Sequence, residues 1–395
     1  MRLDEIGSDL AAAGRRRPPA RLVYRLELAL VLLLWPTGLW LLFVEAPGLA
    51  LLRDVAFLLL LALALPATKP VSRVVAAVGL ASAAALWLAY DQPQALLEAA
   101  DRALVFVLFL PALLLLRETM QVSPEARRAE AAFESLGPGR RIAGLTIGSH
   151  LLAAVMIIGA LPVIRPFLVR QTDPARRLEL ARAAMRGFAL CVLWSPFTVA
   201  MVFVLTQKPT LGVTDVVGIG LPTTILALAG AVWVDRGWAG VRAAVPALVA
   251  FESLALPIVL IVGVVVVLAT ATPLSTLEVV ALTLPPLCVA RLLALPERPL
   301  AAPLRRTLGD LPRMGDELVI FTGALLLGAL IDASGLADAV ARAVQLPTWP
   351  TPLIPLLGFA LGAPMAVAGL HPIVAGTILF ALLGPVEARL PDIFE

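Results

Sequence analysis

Uncharged apolar runs of about twenty residues recur along this chain, and that is the length a helix needs to cross roughly 30 Å of hydrocarbon. Runs at 23–44, 47–67, 71–90, 103–117, 143–164, 213–234, 245–271, 275–293 and 317–334 read as spans, with 187–206 and 351–384 as broken elements. Composition agrees: of 395 residues, 60% are hydrophobic and only 15% charged, with a mean hydropathy of +0.94. That leaves too little polar surface to cover a soluble core of this size. The expected fold class is all-α, a polytopic membrane protein of about 9–11 membrane segments whose first partner is the lipid bilayer.

Charge sets an orientation. The net charge is +3, and arginines cluster beside apolar spans, as the positive-inside rule expects of cytoplasmic loops. That pattern points away from nucleic acid. Arg15-Arg16-Arg17 precedes a run too long for a signal peptide and followed by no small-residue cleavage site, so 23–44 reads as a retained first span. The N-terminus is then cytoplasmic with Lys69–Arg73, while Glu45–Arg53 and Asp91–Asp101 lie outside. The expected location is a bacterial inner or plasma membrane, crossed many times. Cys191 and Cys288 sit inside apolar runs, where cysteine behaves as a small hydrophobe.

The chain is expected to divide into a cytoplasmic segment at 1–22, N-terminal spans at 23–117 (scaffold or oligomerisation), a cytoplasmic linker at 118–142, a first transport repeat at 143–234, connecting spans and a basic loop at 235–316, and a second transport repeat at 317–395, complete or cut short at its C-terminal end. The repeats rest on matching strings. The first copy carries Ile157-Ile158-Gly159-Ala160-Leu161, Gly187-Phe188-Ala189-Leu190 and Ser195-Pro196. The second carries Leu326-Leu327-Gly328-Ala329-Leu330, Gly358-Phe359-Ala360-Leu361 and His371-Pro372. Paired, interrupted apolar segments in two halves of a membrane protein point to a transport site.

Ahead of the first break, Asp173-Pro174 and Gly187 punctuate a short arginine-bearing amphipathic helix, Asp173 capping it and Gly187 stopping it. Such a helix lies on an anionic leaflet; Leu336 to Gln345 is its weaker counterpart. Topology does not close if 143–164 crosses once, because the arginine-rich helix then falls outside and the copies run parallel. Either 143–164 is re-entrant or 243–272 forms two spans.

A helix broken in hydrocarbon frees N–H and C=O groups that protein, water or ligand must satisfy. Pro196 imposes such a break, at which Ser195 and Thr198 offer hydroxyls to a ligand or bond back to their own turn. In the second copy Gly369, His371 and Pro372 suit a tight turn. His371 and His150 are the two histidines, both in apolar surroundings, and a histidine at membrane depth suits proton coupling or plain packing. Glu252 and Asp332 are further proton-coupling candidates, and Glu278 suits an interface. Gly218 to Thr224 reads as another Gly/Pro break, with Thr223 and Thr224 as ligands. No catalytic set, nucleotide loop or metal-ligand spacing is present in the sequence, so no cofactor is expected beyond Na⁺ or H⁺ as coupling ion, and no enzyme.

Repeats in which a short interfacial helix feeds a Ser-Pro or His-Pro broken hairpin resemble the ion transporter superfamily. That group holds divalent anion/sodium symporters, the large membrane subunit of tripartite carboxylate transporters, arsenite permeases and similar sodium/proton antiporters. The residues carrying the resemblance are Gly187 to Thr198 and Gly358 to Gly376, within a stretch from about 140 to the C-terminus. It implies inverted repeats with substrate and sodium at two hairpin tips, here Ser195 to Thr198 and Gly369 to Pro372. The Ser-Asn-Thr tip of dicarboxylate symporters is absent, and nothing after the second hairpin answers 213–234. The expected function is secondary active transport of a small, organic-acid-like anion coupled to Na⁺ or H⁺. A cation/proton antiporter or a membrane subunit of a larger complex is the alternative, and a lipid-modifying enzyme the more distant one. A homodimer or an additional membrane subunit is the further partner expected.

Overall fold

The computed structural model describes residues 21–389, except 138, 157–159, 209–210, 298 and 352. It is 86% helical, with no strand among the described residues. Eight helices there are long and apolar enough to cross a membrane, which makes the chain an all-α polytopic membrane protein. Proline starts several helices: Pro47, Pro70, Pro93, Pro124, Pro174 and Pro372 each stand in the first turn. There the missing N–H would have had no intrahelical partner anyway.

Two antiparallel helices form the centre, α4 (Pro93–Gln121) and α14 (Gly315–Ala333). Phe106 of α4 stacks on Phe321 of α14 with ring centroids 3.7 Å apart. At one end of the pair Arg117 meets Asp310; at the other Arg102 and Asp332 line a common cavity. These are called the Arg117 end and the Arg102 end. α3 (Pro70–Leu88) runs parallel to α14, anchored by Lys69 N–H to Asp316 Oδ1 at 2.9 Å. A Cβ on Gly79 would stand 2.5 Å from Gly323 Cα, so the two backbones touch through glycine, the small-residue approach by which membrane helices associate.

α1 (Arg21–Leu41) and α2 (Pro47–Ala64) flank this centre, with Tyr24 donating to Gly309 O at 3.2 Å at the Arg117 end and Arg53 reaching Asp101 at 3.2 Å at the other. α12 (Thr276–Ala294) lies along α4, and its Arg291 pairs with Glu125 of α5 (Pro124–Ser135) at 2.7 Å.

The expected span 143–164 is instead two helices, α6 (Arg141–Met156) and α7 (Ala160–Val169). α7 returns: the Arg141 guanidinium lies 5.9 Å from the Phe167 ring, and Arg170 pairs with Glu134. Arg165 and two prolines within ten residues make α7 a poor continuation of a span. α8 (Pro174–Leu190) is capped as expected, Asp173 accepting from Ala175 N–H at 3.0 Å. Gly187 does not stop it, however, because α8 runs on to Leu190. Gly187 is where α8 crosses α6, so closely that a Cβ would lie 1.9 Å from Thr146 O.

α10 (Val213–Ala250) breaks at Gly237, with φ 58° and ψ −151°. Its first part packs on α8 through Arg186 to Asp235 and Arg236 to Glu179; the second is a short helix leading to Phe251 and α11 (Glu252–Ala271). The span read at 245–271 therefore starts only at Glu252. No break occurs at 218–224. The helix passes through Pro222, and Gly220 serves instead to admit Leu193 O, 2.0 Å from where a Cβ would sit.

Beyond α14, the short α15 (Leu336–Ala343) precedes α16 (Leu353–Val367) and α17 (Pro372–Leu383). α17 folds back along α16: Cβ positions on Gly358 and Gly362 would lie 3.8 and 3.4 Å from Leu383 and Leu379. Ile354 and Val386 share one apolar cluster with Ala341 and Leu346. The turn uses Gly369 at φ +82°, which a side chain would strain.

One pair of the matching strings is thus not in matching places. Gly187-Phe188-Ala189-Leu190 closes α8, whereas Gly358-Phe359-Ala360-Leu361 lies within an arm of the α16–α17 turn. Ile157-Ile158-Gly159 falls outside the described residues.

Candidate functional site

The break after α8 is real. A 3₁₀ turn at Cys191–Leu193 ends it, and α9 (Val199–Gln207) starts afresh at Thr198. Ser195, Pro196 and Thr198 are all buried. Ser195 Oγ donates to Ala154 O at 2.5 Å and accepts from Phe197 N–H at 3.3 Å. Thr198 Oγ1 donates to Ser195 O at 3.1 Å and accepts from Met201 N–H at 3.3 Å. Ala154 lies in the last turn of α6, where carbonyls lack intrahelical donors. Both hydroxyls therefore close backbone: Thr198 within its own turn, the alternative the sequence left open, and Ser195 across to the end of α6.

His150 belongs to this cluster. Its Nε2 stands 3.1 Å from Trp194 Nε1 and its Nδ1 3.2 Å from Gly187 O. An indole N–H only donates and a carbonyl only accepts. The ring is therefore the neutral tautomer with the proton on Nδ1, and a second proton on Nε2 would face the indole N–H. In this arrangement His150 joins α6, α8 and the break as a neutral ring.

His371 is elsewhere. Its Nδ1 accepts from Ile373 N–H at 3.4 Å, capping α17, and it is half-buried while Gly369 and Pro372 are exposed. Glu252, a proton-coupling candidate in the sequence, is exposed in the first turn of α11, a place where the helix dipole favours a carboxylate. Glu278 caps α12 with Ser275. Thr223 is exposed and bonds back to Ile219 O at 2.8 Å, while Thr224 is buried and reaches Leu190 O at 3.4 Å. Neither threonine joins the break as a ligand.

Asp332 does lie in a polar cavity. About 440 Å³ at the Arg102 end is lined by Gln92 just before α4, Glu98 and Arg102 of α4, Gln207 and Lys208 after the break, Asp332, and Thr377 of α17. Lys208 and Arg102 thus place two cationic side chains in the same cavity as the Asp332 carboxylate. Glu98 and Arg102 are 4.0 Å apart and exposed enough for water to weaken that pair. The cavity unites the far ends of the two broken elements: Phe203 of α9 packs on Phe380 of α17 with centroids 6.1 Å apart.

A second opening, about 230 Å³, lies at the Arg117 end among Arg117, Asp310, Arg313 and Glu317, and it reaches Met156 and Val199. Val199 begins α9 and Gln207 ends it. Eight residues at about 1.5 Å each leave about 12 Å between the two openings, far less than the thickness of a bilayer.

The sequence missed Gln92, Glu98, Arg102, Gln207, Lys208 and Thr377. One signal was legible: Gln207-Lys208 are the first strongly polar residues after the uncharged 187–206 run. Among the described residues, no group of histidine, cysteine and carboxylate side chains could hold a metal ion. No protein-family model matches the chain, and neither curated proteins nor solved structures gave a match.

Proposed function

We propose that this protein is a secondary active transporter that moves a small, organic-acid-like anion by alternating access, coupled to Na⁺ or H⁺. The observation that carries the reading is α9: its ends line openings at opposite ends of the central helix pair, about 12 Å apart. A solute that must cross only this septum, beside helix ends left by a break, meets the arrangement expected of transporter sites. The folding back of α7 on α6 and of α17 on α16 supports two re-entrant hairpins. The first opens at the Arg117 end, where Arg170 meets Glu134; the second opens at the Arg102 end, where Gly384 lines the cavity. Hairpins of opposite sense fit an inverted repeat, and a re-entrant 143–164 removes the topological conflict in the sequence.

Lys208 and Arg102 favour a substrate carboxylate in the cavity, with Asp332 setting its orientation or carrying the coupling ion. Cation exchange at Asp332 is the weaker reading, since two cationic side chains face that carboxylate. Lys69, Arg127, Arg291 and Arg313 gather at the Arg117 end, which the positive-inside rule makes cytoplasmic together with the N-terminus.

The test is flux. Purified protein in liposomes should accumulate one of a panel of small mono- and dicarboxylates above its external concentration when a Na⁺ or pH gradient is imposed, and not otherwise. Absence of gradient-dependent accumulation across the panel overturns the reading.

A further inference from the structure

Transport as proposed makes no use of the concave face between α6, both parts of α10, and α11. It encloses about 600 Å³, within the range of roughly 300–1,000 Å³ typical of ligand sites. Its lining is aliphatic apart from His150, Trp194 and Thr224. All three direct their polar atoms inward, to Gly187 O, to each other and to Leu190 O. The groove therefore offers a ligand no hydrogen bond, and burying a polar group there would cost free energy. The chemistry of this lining matches a hydrocarbon chain.

The rim has the opposite character. Val232 and Val241 of the lining flank the kink at Gly237. Around that kink stand Arg236 and Arg242 of α10 and, across from them, Arg182 and Arg186 of α8. Arg186 and Arg236 are paired with Asp235 and Glu179. Arg182 and Arg242 are exposed and make no ion pair among the described residues. Trp233 and Trp238 bracket the kink at 52% and 72% exposure, and tryptophans of this kind settle at headgroup level. Both the kink and α8 thus belong at the membrane surface, directly over an apolar slot.

We propose that the groove and its arginine rim bind a single anionic phospholipid, with an acyl chain against Trp194 and Leu221 and the phosphate beside Arg182 and Arg242. This site is independent of the transport reading and would stand if that reading failed. A phosphate supplies the negative charge the rim lacks, and the chain fills a slot that water would wet poorly. Seated there, the lipid packs against the His150–Trp194 pair that ties α6 to the break.

Native mass spectrometry of the full chain in mild detergent tests it, with phosphatidylglycerol and phosphatidylcholine of identical chains as probes. One phosphatidylglycerol should be retained in preference to phosphatidylcholine. Arg182→Gln combined with Arg242→Gln should lower phosphatidylglycerol retention roughly 30-fold, from about 5-fold per arginine near an anionic headgroup, and leave phosphatidylcholine unchanged. Gly263→Phe, whose Cβ enters open space, should fill the slot and lower retention of both lipids. Glycerol 3-phosphate should not compete. Equal retention of the two lipids by the wild type, unchanged phosphatidylglycerol retention in the arginine double variant, or displacement by glycerol 3-phosphate (a free-phosphate site) would overturn the proposal.

Discussion

Gly187→Ala is expected to abolish most of the folded protein, whereas Gly358→Ala should leave it intact. The two glycines open identical four-residue strings, yet a Cβ at 187 would meet Thr146 O at 1.9 Å and one at 358 would meet Leu383 at 3.8 Å. The first obstacle is backbone at the α6–α8 crossing, next to the Ser149 bond to Ala184 O at 2.8 Å, and it cannot swing aside as a side chain can. Separating the helices there also breaks the His150 contacts to Gly187 and Trp194. The loss should exceed about 4 kcal/mol, the exceptional end of single-substitution effects. At 358 alanine replaces glycine in a helix interior, a gain of about 0.5–1 kcal/mol in propensity. Thermal unfolding in detergent with size-exclusion monodispersity reads both. Equal behaviour of the two variants would mean that the strings occupy equivalent positions after all.

The second large effect lies in the cavity. Lys208→Met and Asp332→Asn should each reduce gradient-driven uptake by roughly 10–100-fold, the loss expected when a hydrogen bond to a charged group is removed. Neither should alter the unfolding temperature much, because both side chains border an open cavity rather than a packed core. Lys208→Met should act chiefly on apparent affinity if it meets the substrate carboxylate. Asp332→Asn should act chiefly on the dependence on Na⁺ or pH. Uptake unchanged in both would remove the cavity from the transport path.

The long spans were legible because lipid imposes one rule on them, a run of apolar residues long enough to cross, and this rule is local. Helix starts were legible for the same reason: Asp173-Pro174 caps and begins α8 as its chemistry dictates. Reversals were not. The residues joining α6 to α7 are as apolar as a span, so hydropathy runs straight through the return to Phe167. The kink at Gly237 depends on one residue's positive φ, which composition does not reveal.

The break at Pro196 was visible, but its partner was not. The string match pointed to His371, while the side chain that reaches Trp194 is His150, one helix away on α6. The cavity was the least legible feature, since Gln92, Lys208 and Asp332 lie more than a hundred residues apart and meet only through the packing of α4, α9 and α14.

The most direct measurement concerns α9 itself. Cys191 and Cys288 are replaced by alanine, and Val199→Cys and Gln207→Cys are introduced singly into that background. Each protein is then placed in sealed vesicles of defined orientation and treated with a membrane-impermeant thiol reagent from either side. The expected result is modification of Val199→Cys from the Arg117 side and of Gln207→Cys from the Arg102 side, with each rate changed when a transported carboxylate is added. Modification of both from the same side, or of neither from any side, would contradict α9 as the barrier between two opposed openings.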